Sequence, residues 1–161
     1  MPVSTSNVIG VALGDTQATA QFKPGTLVTL DDGGTAIYVQ AASDISTYAA
    51  VGVLVNNTAV PLTTTNAATT KRFAVAQTSI ASSQYGWVQA GGVMVVNLAA
   101  SCAANVPLFT TATAGVLDDA TVSGNGVGLV VGIVANTSIS NATAATCLAQ
   151  FPHISGGAGA V

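Results

Sequence analysis

His153 is the only imidazole in the chain and follows Phe151-Pro152 near the C-terminal end. A hydrolytic site needs such a base oriented by one partner and aimed at a nucleophile. Serines are plentiful, but no Gly-x-Ser-x-Gly elbow occurs and no Asp lies near His153 in sequence. His153 therefore reads as a loop residue without catalytic work. The acids come partly in pairs, Asp31-Asp32 and Asp118-Asp119. Catalytic carboxylates face each other across a cleft at a set separation, and calcium loops alternate oxygen ligands around a glycine. Neither spacing is present. Neighbours on a strand point to opposite faces, so both pairs read as turn residues, and no metal is expected. Gly124-Asn125-Gly126-Val127-Gly128 looks like a phosphate cradle but leads into a strand rather than opening a helix, so no cofactor and no small-molecule substrate are expected.

Two cysteines remain, Cys102 and Cys147. The first residues, Met1-Pro2-Val3-Ser4-Thr5-Ser6-Asn7, carry no basic segment followed by an apolar one, so synthesis in the cytosol is expected. In that compartment the cysteines read as small buried apolar residues rather than a bridge. Lys71-Arg72 is the sole basic cluster, and Tyr85-Gly86-Trp87 is the densest aromatic one. Trp and Tyr serve both as core anchors and as interface hot spots. With one Trp, three Tyr and four Phe to fill the fold, the core has first claim on Trp87. The candidate interface residues are Tyr85, Trp87, Lys71, Arg72 and Phe109.

The elements that would carry these residues follow from composition. The chain has 161 residues, 50% hydrophobic and 6% charged, with three Lys or Arg against six Asp and a net charge of -3. About 25% charged is ordinary for a soluble domain. Three cations cannot build a nucleic-acid surface, because phosphate affinity comes from many neutralised charges together. The mean hydropathy of +0.61 raises a membrane possibility, yet no apolar run reaches the roughly 18 residues of a spanning helix. The chain length allows one domain, over residues 1–161, able to bury roughly 70% of its unfolded surface.

Apolar residues come in short β-branched runs bounded by Gly, Pro, Asn or Asp, the pattern of strands. The spacing predicts strands at Val8 to Leu13, Thr26 to Leu30, Thr35 to Gln40, Ala49 to Val55, Arg72 to Thr78, Gly86 to Ala90, Val93 to Leu98, Pro107 to Thr110, Val127 to Ala135 and Ala144 to Phe151. Asp31-Asp32-Gly33-Gly34 and Gly91-Gly92 read as hairpin turns, Ser123-Gly124-Asn125-Gly126 as a further turn, and Pro61 to Thr70 as an exposed connection. Val51-Gly52-Val53-Leu54-Val55 is echoed by Val131-Gly132-Ile133-Val134-Ala135, which hints at two topologically matching strands. The expected fold is all-β, a small barrel or sandwich with hairpin connections and very little helix. Residues 1–20 read as an extended arm and 155–161 as a flexible tail.

The segment Tyr85-Gly86-Trp87-Val88-Gln89, then Gly91-Gly92-Val93, then Pro107-Leu108-Phe109-Thr110-Thr111-Ala112-Thr113-Ala114-Gly115-Val116-Leu117-Asp118, resembles the head decoration, or capsid cement, proteins of tailed bacteriophages. Val131-Gly132-Ile133-Val134 and Phe151-Pro152 fall where such chains carry a Gly-x-apolar strand and a closing strand. The likeness covers residues 85 to 154; the first half is similar in style, including Pro24-Gly25-Thr26-Leu27-Val28. The resemblance implies a virion protein without catalytic activity that binds the major capsid protein on the outside of an icosahedral shell, as homotrimers over capsomer junctions. A surface of Ala, Thr, Val, Ser and Asn suits a chain covered by copies of itself and by a shell. The alternative is a trimeric phage fibre or adhesin-type β domain that binds a glycan or receptor, for which the aromatic supply is thin.

Overall fold

The computed structural model describes residues 11–70, 72–121 and 128–155. Among these the chain is nearly all strand, and one short 3-10 turn at Asn66–Ala68 is the helical element. The strands are β1 (Thr16–Gln17), β2 (Leu27–Thr29), β3 (Thr35–Ala41), β4 (Ala50–Val53), β5 (Thr58–Pro61), β6 (Arg72–Ala76), β7 (Tyr85–Leu98), β8 (Leu108–Thr110), β9 (Leu117–Asp118), β10 (Leu129–Ala135) and β11 (Thr143–Ile154). All of them join one sheet, which closes on itself twice around β7. One ring runs β7-β6-β4-β5-β3 and returns to β7; the other runs β7-β11-β10-β8-β9 and returns to β7. The all-β expectation holds, in the form of two small closed rings that share their longest strand.

The sharing explains why β7 is one strand and not two. Its first half pairs with β3 and β6, and its second half with β11. Gly91-Gly92, read from sequence as a hairpin turn, instead marks where β7 changes partners. Gly92 sits at φ 95°, and a Cβ there would lie 2.7 Å from the Gly34 Cα. Glycine therefore lets the strand pass the β2–β3 turn and bulge, with the register slipping between Thr35 and Ala36, instead of reversing. That β2–β3 turn is the hairpin expected at Asp31 to Gly34: Leu30 donates to the Gly34 carbonyl at 2.7 Å, and the Asp32 carboxylate accepts from the Gly34 N–H at 2.9 Å.

Each ring has its own core. Ile37, Val39, Val51, Val53, Ala74, Ala76 and Val88 fill the first. Met94, Val96, Leu98, Leu108, Leu117, Val130, Ile133 and Cys147 fill the second. Alternation puts the wall between them to double use: on β6, Ala74 and Ala76 face one core while Phe73 and Val75 face the other. Small barrels leave little interior volume, which gives the many Ala and Val residues a physical reason. The first echoed segment runs from β4 into the turn after it and the second lies in β10, and each of these strands is the second from β7 within its ring, which agrees with the sequence hint of topologically matching strands.

Two expectations are corrected. Pro61 to Thr70 is not an exposed connection, because Leu62, Ala67 and Thr70 are buried and the 3-10 turn packs under β4. Small residues let that polar stretch fit where larger ones would not, and Thr70 satisfies its hydroxyl on the Asn66 carbonyl at 2.9 Å. The described part of the arm, residues 11–20, is docked rather than extended: Val11 and Leu13 are buried over β3 and β7, and Thr16 pairs with Gly86. The first residues of the predicted strand at Val8, the turn at Ser123 to Gly126 and the tail beyond Ser155 lie outside the described residues.

The tight packing beneath β4 gives a test. A Cβ on Gly52 would lie 2.5 Å from the Thr70 Cβ and Oγ1, and Thr70 is held by its hydrogen bond. Gly52→Ala should therefore destabilise the chain by about 1–3 kcal/mol through overpacking. Gly14, with nothing within 4 Å of a new Cβ, is the control, and Gly14→Ala should be near neutral. Urea midpoints for the two variants check this, and equal midpoints would contradict the packing described.

Candidate interaction surface

The four candidate interface residues among the described residues do not converge. Trp87 is 1% exposed, so its place among them is corrected. It stands opposite Tyr38 across β3 and β7, and Phe22 closes on both rings at 5.3 and 5.4 Å. The outer face of those strands is covered by the segment that precedes β2, so an aromatic there becomes core. Tyr85 is half-buried and stacks on Tyr38 at 6.1 Å. Arg72 is half-buried and donates from Nη1 to Asn57 Oδ1 at 2.8 Å, while Asn57 donates to the Pro24 carbonyl at 3.1 Å. Its guanidinium thus ties the β4–β5 turn to the chain before β2. The pairing of Val75 with Gln89 puts Arg72 toward the Gly92 end of β7, far along the strand from Tyr85. Phe109 is half-buried on β8, opposite Leu129 and Asp118. Lys71 lies outside the described residues.

Among the described residues the sole imidazole stands apart from the two thiols in the fold. His153 is exposed, pairs with Arg72 and Val131 across the strands, and its Nδ1 lies 3.3 Å from the Phe151 carbonyl. Among the described residues no carboxylate or hydroxyl hydrogen-bonds to that ring. Both cysteines are free and buried. Desolvation pushes the Cys147 thiol up to about 12 from 9.0, and the neighbouring Cys102 adds to the shift. Burial also raises Cys102, with the Asp119 charge working in the same direction. Both stay protonated thiols near neutral pH.

One grouping was not legible in sequence. Ligand atoms of Cys102, Asp118 and Asp119 lie within 4.8 Å of one another. The expectation that Asp118 and Asp119 point to opposite faces fails because β9 ends at Asp118. Asp119 Oδ2 accepts from the Ala103 N–H at 2.9 Å, so that carboxylate anchors the loop after Cys102.

The surface is more informative in its apolar residues. Leu27, Val55, Val131, Leu148 and Phe151 are large, hydrophobic and exposed. Val55 tops the β4–β5 turn, and Leu27 lies on β2, which pairs only with β3 among the described strands. Val131, Leu148 and Phe151 share the β10–β11 ribbon. Between it and the segment that leads into β8 runs a groove of about 540 Å³, lined by Val106, Pro107, Val131, Gly132, Leu148 and Gln150 among others, with no ionisable side chain. No helix is long and apolar enough to cross a membrane. In comparisons with known proteins, the chain matches no protein-family model and has no significant match among curated proteins.

Proposed function

We propose that the chain is a capsid decoration, or cement, protein: a structural virion protein that binds the outside of an icosahedral phage head as homotrimers and reinforces it against internal DNA pressure. The observation that supports this best is the set of large apolar residues exposed on an all-β body. Nine ionised side chains, three basic and six acidic, cannot supply a mainly electrostatic interface, since exposed ion pairs are worth about 0–1 kcal/mol each. Attachment to the major capsid protein then rests on buried apolar area, at about 25 cal/mol per Å² before association costs. Repetition over the shell strengthens a modest contact through effective concentration.

Attachment of this kind should survive high salt. Debye screening shortens from about 10 Å at 0.1 M to about 3 Å at 1 M, which removes ionic contacts and spares apolar ones. Particles carrying the protein should retain it at both ionic strengths and release DNA at a higher temperature than particles without it. Loss of the protein on raising the salt would refute apolar attachment, and equal release temperatures would refute reinforcement. Retention of the chain on a glycan array, with no binding to shells, would favour a fibre or adhesin domain instead.

A further inference from the structure

The β10–β11 ribbon carries an irregularity with a chemical consequence. Val131 pairs with His153 and Ile133 with Ala149, so Gly132 alone stands opposite Gln150, Phe151 and Pro152. β11 must bulge outward by the excess. Pro152, which has no N–H to offer the ladder, lies in the bulge, where such a residue interrupts pairing least. Gly132 takes φ 82°, and a Cβ on it would meet the Gln150 carbonyl at 2.4 Å, so the close approach requires glycine. At the apex Phe151 sits at φ 48° with 95% of its surface exposed. Bulky aromatics rarely adopt the left-handed region, and water gives no reason to hold one there. A strained backbone that presents an uncovered aromatic is the kind of feature found at binding surfaces.

We propose that Phe151 of one copy seats in the groove between the β10–β11 ribbon and the segment that leads into β8 of a second copy. The inference takes from the proposed function only the self-association of the chain, not its attachment to a capsid. Phe151 does not line that groove in its own copy, so each copy offers one knob and one receptor. The groove wall is apolar and bears no charge, matching an uncharged aromatic, and Leu148, 45% exposed, stands in it as the contact partner. Gln150, which precedes Phe151, also lines the groove, so knob and receptor lie side by side on one chain, and their contact is satisfied by reciprocal exchange in a two-fold pair or head to tail in a larger closed ring. The cyclic oligomer then buries the apolar residues that three basic and six acidic side chains cannot keep in solution.

The test uses the full chain in solution. Asn tolerates the left-handed region, so Phe151→Asn should fold as well as the wild type while losing the knob. Sedimentation should show self-association weakened by roughly 30-fold or more, the scale of an interface hot spot. Leu148→Arg, which blocks the receptor, should do the same. The decisive arm mixes the two variants: the intact knob of Leu148→Arg and the intact groove of Phe151→Asn should give a one-to-one pair and no ring. Wild-type protein that stays monomeric at its highest soluble concentration, a Phe151→Asn variant that keeps the wild-type mass, or a mixture that does not pair would each overturn the inference. Cementing is read separately, by retention of wild-type protein on particles, so failure of one leaves the other standing.

Discussion

Trp87→Ala is expected to cost about 3–5 kcal/mol of folding stability, the range for removing a large buried aromatic. Against the 5–15 kcal/mol typical of a whole domain, this is the most damaging single truncation the fold offers. Trp87 packs against Tyr38 at 5.0 Å and Phe22 at 5.3 Å, so its removal leaves a cavity whose walls are rings that cannot collapse inward. The loss also reaches the chain before β2, since Val11 and Leu13 belong to the same cluster and Phe22 packs against it. Without the indole, that segment loses the surface on which it docks. Calorimetry should show a fall in Tm of about 6–20 °C, at the 2–4 °C per kcal/mol usual for this chain length. Tyr38→Phe is the milder companion: it keeps the ring but removes a hydroxyl that donates to Gln17 Oε1 at 2.8 Å and accepts from the Gln21 N–H at 3.2 Å. About 1 kcal/mol is expected there. A Trp87→Ala variant within about 1 kcal/mol of wild type would mean that the aromatic cluster does not anchor the segment.

The same cluster shows what could and could not be read from residues alone. Strands such as β3 and β6 are legible as short apolar runs bounded by turn residues, whereas the division of β6 between two cores is not, because both of its faces are apolar. Aromatic identity does not say which face of a strand is covered, and Trp87 on β7 is buried because residues 11–30 fold across it, a long-range event. Gly91-Gly92 is ambiguous for a related reason: paired glycines permit a reversal or a bulge equally well, and only the closure of two rings on β7 selects the bulge. The stretch from Pro61 to Thr70 fails on composition, since small polar residues are as suited to a tight interior plug as to an exposed connection. The exposure of Phe151 is also hidden. A Phe-Pro pair at the end of an apolar strand reads as a closing strand, and the excess of β11 over β10 appears only in the register. By contrast, the buried free thiols accord with reading Cys102 and Cys147 as small apolar residues of a chain made in a reducing compartment.

Stability should fall steeply above pH 9, because the Cys147 thiol titrates differently in the two states. In the native chain burial holds it protonated up to about 12; its ordinary value is 9.0. A group whose folded pKa is raised contributes stability fully below its unfolded pKa and loses it as pH rises through the folded one. Below pH 9 both states keep the proton, and nothing changes. Between pH 9 and about 12 the unfolded chain releases the proton while the native chain keeps it, so the unfolded state gains about 1.4 kcal/mol per pH unit. The total approaches about 4 kcal/mol at the top of that window. Cys102, shifted in the same direction, adds to the slope. Other groups also titrate in this range, so the comparison is with Cys147→Ala, which keeps them and removes the thiol. Near neutral pH the variant should be less stable by about 1–2 kcal/mol for its lost packing. As the pH rises the wild type should lose stability faster, and the two curves should cross between about pH 9.5 and 10.5, where about 1–2 kcal/mol of the linkage has been spent. Curves that run parallel from pH 8 to 12 would show that the thiol is as accessible to ionisation in the native chain as in the unfolded one, and that the second ring is not sealed around Cys147.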